Sequence, residues 1–183
     1  MKTPSESWLS VARQCPSPNC DERPGGTDID LLVIHNISLP PAQFGGSWIE
    51  DFFLNRLDVS RHPYFRKISH LKVSTHFLVR RDGEILQFVP LHKRAWHAGE
   101  SCFQERERCN DFSVGIELEG TDELPYTNAQ YRSLARLSQI ILDACPRITR
   151  DRIVGHEHIA PGRKTDPGPA FDWGRYHSLL IQQ

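Results

Sequence analysis

The stretch that says most about the fold is Phe112-Ser113-Val114-Gly115-Ile116-Glu117-Leu118-Glu119-Gly120. Apolar and polar residues alternate along it, which is the pattern of a β-strand with one face on a core. Glu117 and Glu119 share the opposite face of that strand. An ionised carboxylate inside an apolar run is costly unless it is paired, hydrated or in a cleft. Glu117 is therefore a candidate functional residue, and a pair of glutamates that merely faces solvent on an open sheet is the alternative.

Other predicted elements follow one another along the chain on both sides of this strand. The predicted strands are 31–34, 73–80, 85–89, 112–120 and 153–155. Asp82-Gly83 predicts a hairpin between the second and third of these, because this dipeptide favours a turn with positive φ. Polar caps predict helices that start after Ser47, Thr127 and Asp172. This order predicts an α/β fold, a single mixed β-sheet of about five strands flanked by helices, in one domain over residues 1–183.

Three local patterns add detail to this prediction. Ser47 and Glu50 form a capping-box pattern, and the helix after them is expected to continue to Leu57. The polar segment 90–110 is interpreted as a long irregular surface loop. The segment 161–169 contains three prolines and is predicted to be a stiff loop, since proline fixes φ and removes a backbone donor.

Composition narrows the class of partner. The chain has 183 residues, with 22 Lys and Arg against 23 Asp and Glu, and a formal net charge of −1. This excludes nucleic acid as a partner, because its recognition depends on clustered Lys and Arg. No segment has the apolar length of a signal peptide or a membrane span, so no membrane partner is expected. Five cysteines, an odd number without an export signal, indicate reduced thiols and a cytoplasmic location.

The chain has nine histidines, and two of them stand at the ends of predicted strands. His35 follows the strand 31–34, His156 follows 153–155, and Asp166 lies ten residues further on, in the proline-rich loop. Two imidazoles and one carboxylate are a ligand set of catalytic zinc. Strand-end histidines that hydrogen-bond neighbouring loops are the alternative. His76 is expected to be a neighbour of the site, and surface or satisfied polar positions are expected for His62, His70, His92, His158 and His177.

Two further groups can take part in chemistry beside such a metal. Glu117 can act as a general base in metal-assisted hydrolysis. Lys164 can reach a developing oxyanion, or it belongs only to a solvated charge cluster. Glu117 and Glu119 lie about 6.6 Å apart on one strand, a spacing that an inverting glycosidase also permits. That alternative leaves the histidines unexplained and places both carboxylates on one side of the sugar.

Several segments together resemble the zinc-dependent N-acetylmuramoyl-L-alanine amidases, and among them the cytoplasmic type that acts on 1,6-anhydro-muropeptides. The matching segments run in order over nearly the whole chain: 33–41, 44–46, 80–84, 93–99, 106–113, 115–122, 155–156 and 163–169. The resemblance implies a peptidoglycan-recognition-like fold and Zn²⁺ as cofactor, with the metal on His35, His156 and Asp166. It implies Glu117 as proton acceptor and Lys164 as the residue that stabilises the transition state. It places near the substrate cleft Asn36, Trp96, His97 and Arg108.

The activity that this resemblance implies is hydrolysis of one amide bond. That bond joins the lactyl group of (1,6-anhydro-)N-acetylmuramic acid to L-alanine in soluble muropeptides, during peptidoglycan recycling. The expected partner is a small muropeptide, and the protein is expected to act as a monomer. The resemblance also implies that Asp166 favours an enzyme over a non-catalytic muropeptide-binding module, because many relatives with this fold have cysteine there, or lose the ligand and only bind. Lys72 stands where arginine is typical of close relatives, which removes a bidentate donor at that position.

Overall fold

The structure, a computed structural model, describes residues 8–181. The ends of the predicted domain, residues 1–7 and 182–183, lie outside the described residues. The strands are β1 (Arg13–Gln14), β2 (Cys20–Glu22), β3 (Leu31–Ile37), β4 (Phe77–Val79), β5 (Ile85–Gln87), β6 (Lys93–Ala95), β7 (Cys102–Phe103), β8 (Arg106–Glu107), β9 (Ser113–Glu119) and β10 (Ile153–Gly155). The α-helices are α1 (Trp48–Phe53), α2 (Phe65–Ile68), α3 (Asn128–Ala144), α4 (His156–Ile159) and α5 (Trp173–Ile181). Two short 3₁₀ helices span Cys109–Asp111 and Arg150–Arg152.

A six-stranded mixed sheet in the order β1-β5-β4-β9-β3-β10 forms the centre of the molecule. β9 lies between β3 and β4 and is parallel to both, and β10 is parallel to β3. β4 and β5 form the predicted hairpin, in which Gly83 has a φ of 93°. The predicted α/β class is confirmed, and all five predicted strands belong to this sheet. The sixth strand is β1, whose two residues gave no strand pattern in the sequence.

Helices cover both faces of the sheet. Leu78 points to the face opposite Phe77 and Val79, since side chains alternate along a strand. Phe77 and Val79 belong to an apolar core that also contains residues of α3 and α5. Leu78 belongs to a second core with Phe52, Phe53 and other residues of α1 and α2. One face of the sheet is therefore buried by α3 and α5, and the other by α1 and α2 together with a third cluster in which Ile159 of α4 packs near Leu31 and Val33.

The helix starts agree with the predicted caps at two of three positions. Thr127 forms a capping box with Gln130 at the start of α3, in which each side chain accepts from the other residue's backbone N–H. Asp172 Oδ1 accepts from Arg175 N–H at 2.8 Å in the first turn of α5. Polar residues at these two positions therefore satisfy free N–H groups of the helix ends, as the sequence predicted.

The prediction for α1 is partly wrong. The helix follows Ser47, but neither that residue nor Glu50 caps it, because the Ser47 hydroxyl donates to Asp51 Oδ2 and the Glu50 carboxylate pairs with Arg80. The helix also ends at Phe53, whereas the sequence predicted that it continues to Leu57. Asn55 has a φ of 58°, and a residue in this left-handed region ends a helix.

Two further segments differ from the prediction. The segment 90–110 is not wholly irregular, because β6 pairs with β2, β7 pairs with β8, and a 3₁₀ helix closes it. The strand predicted at 73–80 is reduced to β4, because Ser74 N–H donates to Trp96 O at 3.1 Å instead of pairing in the sheet. The segment 161–169 is irregular, as predicted. None of the described helices has the length and apolar character needed to cross a membrane.

Candidate active site

The candidate site lies at the carboxyl ends of three parallel strands, β3, β9 and β10. The register of β3 and β9 places His35 beside Glu117. Gly155 pairs with Ile34, so His156, the next residue after β10, lies close to His35. In open α/β sheets, ligands bind outside the carboxyl ends of the strands. The sheet thus brings together residues that are far apart in the sequence.

His35, His156 and Asp166 converge on one point. The two Nδ1 atoms are 2.9 Å apart, and each lies 3.0 Å from Asp166 Oδ2. Both imidazoles are buried, with 1% and 3% of their residue surface exposed. Separations of this size suit a small cation bound by nitrogen and oxygen at about 2.0 Å. The three residues predicted as ligands therefore form a group that can hold a metal ion.

Hydrogen-bond partners on the far side of each imidazole can accept its Nε2 proton, an arrangement in which Nδ1 is free to bind a metal. His156 Nε2 lies 3.0 Å from Ala98 O, and because a carbonyl only accepts, Nε2 carries the proton. His35 Nε2 lies 2.9 Å from His97 Nδ1, and His97 Nε2 lies 3.1 Å from Ser113 Oγ. Donation from His35 to His97 and from His97 to Ser113 satisfies the outward nitrogen of His35 and both nitrogens of His97. Lone pairs of both ligand histidines then face the carboxylate, and this is the protonation that metal binding requires.

The loop that carries Asp166 is fixed by hydrogen bonds to its backbone. Asp166 O accepts from Glu157 N–H at 3.0 Å. The next carbonyl, Pro167 O, accepts from Asn36 Nδ2 at 3.1 Å and from the Tyr126 hydroxyl at 2.8 Å. Sequence reasoning missed Tyr126, because no pattern around it distinguishes it from an ordinary core tyrosine.

The electrostatics of the group agree with metal ligation. Burial lowers the pKa of His35 to about 4, although the neighbouring Asp166 carboxylate opposes this shift. Burial would raise the pKa of Asp166, but the close contact with the His156 and His35 imidazoles outweighs this effect and lowers the pKa below its usual value. Burial also lowers the pKa of His97 well below its usual value. At neutral pH, His35 is therefore neutral and Asp166 is ionised, as metal ligands must be.

Glu117 contributes a carboxylate with an unsatisfied oxygen. Its Oε2 atom is buried, and no residue in the described part of the chain forms a hydrogen bond with it. Burial raises the pKa of Glu117 well above its usual value, the Asp166 charge raises it further, and Lys164 opposes the shift. A carboxyl group with a raised pKa in a cleft is a candidate for proton transfer.

The site opens into a cleft of about 380 Å³. His35 lies beneath it, and the other predicted site residues that line it are Asn36, Trp96, His97, Glu117, His156, Lys164 and Asp166. Arg108 is not among the described residues that line this cleft. Its side chain is 70% exposed and forms an ion pair with Asp111, so its contact with substrate stays a prediction.

Two of the predicted substrate residues are hydrogen-bonded within the protein. Asn36 Nδ2 donates to Asp122 Oδ1 at 2.7 Å, in addition to its bond with Pro167. His97 is bonded to His35, and its backbone N–H donates to Asn110 Oδ1 at 3.1 Å. These contacts hold the metal-ligand group, and a direct contact of either residue with substrate stays a prediction.

Glu119 lies away from the cleft. It is 2% exposed, and its carboxylate accepts from Gly45 N–H at 2.6 Å and from Arg81 N–H at 3.1 Å. It borders a separate pocket near Phe44. A solvent-facing pair of glutamates is therefore a wrong description. A glycosidase pair is also disfavoured, because its two carboxylates must act on one sugar.

Two further histidines, His76 and His158, agree with the sequence interpretation. His76 is a neighbour of the site, since its ring centroid lies 5.8 Å from that of His97. Its Nδ1 accepts from Gly115 N–H at 3.0 Å. His158 has a side chain that is 52% exposed, and its Nδ1 accepts from Gly155 N–H at 2.8 Å. His158 thus has a structural contact outside the metal-ligand group.

Comparisons with known proteins point to one family. The profile of the N-acetylmuramoyl-L-alanine amidase family matches residues 25–169. The 1,6-anhydro-N-acetylmuramyl-L-alanine amidase AmpD of Salmonella typhimurium is 57% identical over 177 residues, which cover 97% of this chain and 94% of the relative. A crystal structure of a selenomethionine derivative of AmpD has a TM-score of 0.93 at 57% identity and covers 96% of this chain and 97% of that one. The amidase AmiD of E. coli, in complex with the substrate anhydro-N-acetylmuramic acid-L-Ala-D-γ-Glu-L-Lys, has a TM-score of 0.61 at 29% identity and covers 86% and 60%.

Proposed function

The chain belongs to the N-acetylmuramoyl-L-alanine amidase family, and on that premise we propose that it cleaves soluble anhydro-muropeptides. The bond cleaved is the amide between the lactyl group of 1,6-anhydro-N-acetylmuramic acid and L-alanine, in peptidoglycan recycling. The observation that carries this proposal is the convergence of the ligand atoms of His35, His156 and Asp166 in a cleft that Glu117, with its unpartnered oxygen, also lines. The names of the AmpD relatives and the substrate bound to AmiD support the choice of substrate.

The metal in this proposal is Zn²⁺, held by His35, His156 and Asp166. Two imidazoles and one carboxylate are a typical donor set of catalytic zinc in hydrolases. The chemistry that zinc supplies when bound is Lewis acidity toward a water molecule and toward the carbonyl oxygen of the substrate. The hydrogen bonds from His35 to His97 and from His156 to Ala98 O orient both rings and increase their basicity as ligands.

Glu117 moves the proton in this reaction. Its carboxylate accepts a proton from the attacking water, whose oxygen forms a bond to the lactyl carbonyl carbon. The same proton then passes to the nitrogen of L-alanine as the C–N bond breaks, so the products are a free carboxylic acid and a free amine. The raised pKa of Glu117 favours this double role, because it brings the pKa of the carboxyl group closer to the working pH.

Lys164 stabilises the negative charge that develops on the carbonyl oxygen. Its side chain is exposed at the cleft, and it forms no ion pair with any residue between 8 and 181. Lys164 and Glu117 line the same cleft, and the positive charge of Lys164 opposes the rise in the pKa of Glu117. An ammonium group aimed at a developing oxyanion stabilises the transition state more than the ground state.

The setting proposed for this activity is a monomer in the cytoplasm, with the 183 residues acting as one amidase domain. All five cysteines are free thiols, and buried unpaired thiols suit a reducing compartment. One chain supplies every residue of the proposed site, so catalysis needs no second subunit. Cell fractionation and light scattering of the purified protein test the compartment and the monomer.

A single assay with purified protein tests the reaction. An anhydro-muropeptide that carries a disaccharide is incubated with the protein, with and without a metal chelator, and the products are identified by mass spectrometry. We expect the free anhydro-disaccharide and stem peptide, and no cleavage with the chelator. Binding without release of the stem peptide would refute catalysis and leave a binding module. Chelator-insensitive cleavage between two sugars would show a glycosidase instead.

A further inference from the structure

The wall of the cleft at Trp96 is built partly by the N-terminal segment of the chain. β2 pairs antiparallel with β6, and Asp21 stands opposite Arg94. Trp96 follows β6 directly and lines the cleft. β2 precedes residue 25, where the match to the family profile begins. The segment therefore adds contacts to the cleft that the shared family profile does not describe.

Asp21 is the residue of this segment that contacts Trp96. Its Oδ1 accepts from the indole Nε1–H of Trp96 at 3.1 Å and from Arg94 Nε at 2.7 Å. Arg94 also donates to Asp111 on the other side, so the carboxylate of Asp21 is held in place by a cross-strand ion pair. The hydrogen bonds from Arg94 keep the pKa of Asp21 below its usual value, so the acceptor of the indole proton is a full negative charge.

The backbone of Trp96 is anchored by the same segment through Ser74. Trp96 N–H donates to Ser74 Oγ at 3.1 Å, and that hydroxyl donates to Asn19 O at 2.6 Å. Ser74 N–H in turn donates to Trp96 O at 3.1 Å. With the backbone fixed in this way, the remaining freedom of the residue is rotation of the indole about its side-chain torsions. The bond to Asp21 is the polar contact that selects one ring orientation.

We propose that Asp21 is a positioning residue that holds the indole of Trp96 in a single orientation in the cleft wall, ready to pack on the bound muropeptide. This inference rests on the proposed function for the identity of the ligand. An aromatic ring that is fixed before binding costs little conformational entropy when the ligand arrives. The indole would contact the substrate equally in the ground state and in the transition state. Loss of Asp21 should therefore raise KM and change kcat little.

The enzymatic test compares two substitutions on the same short strand. Asp21→Ala should raise KM for an anhydro-muropeptide by about tenfold, the size expected for loss of one hydrogen bond to a charged group, with kcat changed less than about twofold. Asp21→Asn should recover most of the loss, because its amide oxygen still accepts from the indole. Glu22→Ala is the matched control, since it removes the neighbouring cross-strand ion pair with Lys93 and leaves Trp96 untouched. Trp96→Phe lacks the indole N–H, so adding Asp21→Ala to it should change KM no further.

A spectroscopic test needs no activity. The protein is labelled with 5-fluorotryptophan at its four tryptophans, and Trp96→Phe assigns the ¹⁹F resonance of Trp96. Asp21→Ala should shift and broaden that resonance alone, and Glu22→Ala should leave it in place. An unchanged resonance, a KM equal to that of the wild type, or an equal effect of Glu22→Ala would overturn the proposal. A wild-type protein that is inactive on muropeptides would refute the proposed function, while the ¹⁹F result would still decide whether Asp21 orients Trp96.

Discussion

Gly115→Ala in the central strand β9 should disturb the metal site without touching a ligand. A Cβ atom at this position would lie 2.6 Å from Cγ and 2.7 Å from Nδ1 of His97. Ordinary carbon contacts are about 3.5 Å or longer, so the ring must retreat by about 1 Å. The backbone of His97 cannot follow freely, because Asn110 Oδ1 holds its N–H and that of Ala98 at 3.1 and 2.8 Å.

The retreat breaks the hydrogen bond that orients His35. A displacement of about 1 Å would lengthen the 2.9 Å bond between His35 Nε2 and His97 Nδ1 beyond the range of a hydrogen bond. Loss of such a partner of a metal ligand typically costs about 10- to 100-fold in metal affinity. The overpacking itself should cost about 1–3 kcal/mol, which lowers Tm by roughly 3–10 °C in a chain of this length.

Two measurements test this prediction. Competition with a chromophoric chelator measures the loss of zinc affinity, and thermal unfolding of the metal-free protein measures the loss of stability. Gly25→Ala is the matched control, because nothing lies within 4 Å of a Cβ at that position. In a His97→Ala background the ring is gone, so adding Gly115→Ala should cost little further stability. A Gly115→Ala protein with wild-type zinc affinity and Tm, or an equal cost in both backgrounds, would refute the reasoning.

Three other substitutions test separate parts of the site. Asp166→Ala should lose bound zinc and activity together, and full zinc occupancy by metal analysis would contradict the ligand assignment. Glu117→Gln should keep its zinc but lose about 10²–10⁴-fold in kcat, as measured on an anhydro-muropeptide. In metal-free protein the same change should raise stability at pH 7.5 by about 1–3 kcal/mol, because an unsatisfied buried carboxylate is removed. The pKa of Glu117 is raised in the folded state, so at low pH its carboxyl group is protonated in the folded and unfolded wild-type protein alike and carries no penalty. As pH rises above the ordinary pKa, the wild-type protein loses stability relative to Glu117→Gln. The stability gain of Glu117→Gln in thermal unfolding should therefore shrink toward pH 4. Tyr126→Phe removes a donor to Pro167 O and should lower stability by about 1 kcal/mol and zinc affinity by a few-fold in the same competition assay.

The two capping-box patterns show where prediction from local sequence stops. Thr127 with Gln130 and Ser47 with Glu50 have the same spacing, but only the first pair caps its helix. The Glu50 carboxylate is instead in an ion pair with Arg80, a residue that comes thirty positions later in the chain. Local sequence patterns cannot predict this competition, because Arg80 comes close to Glu50 only when the chain has folded.

The same limit applies to the two glutamates of β9. Strand alternation correctly placed them on one face, since it depends only on the local backbone. Their different environments depend on neighbours that the strand itself does not specify. Glu117 borders the cleft, whereas Glu119 is buried against the backbone of Gly45 and Arg81.

By itself, the sequence determined the α/β class and five of the six strands of the central sheet, and it indicated His35, His156 and Asp166 as candidate metal ligands. Periodicity and strand-end position are local properties, and the motif residues His35, His156 and Asp166 are read directly from the chain. Only the tertiary structure decided that these residues meet within 3.0 Å, and that the Nε2 atom of each imidazole has a hydrogen-bond partner. It also decided that Asp21 meets Trp96. Such contacts follow from strand register and packing between distant segments, and no local pattern in the sequence encodes them.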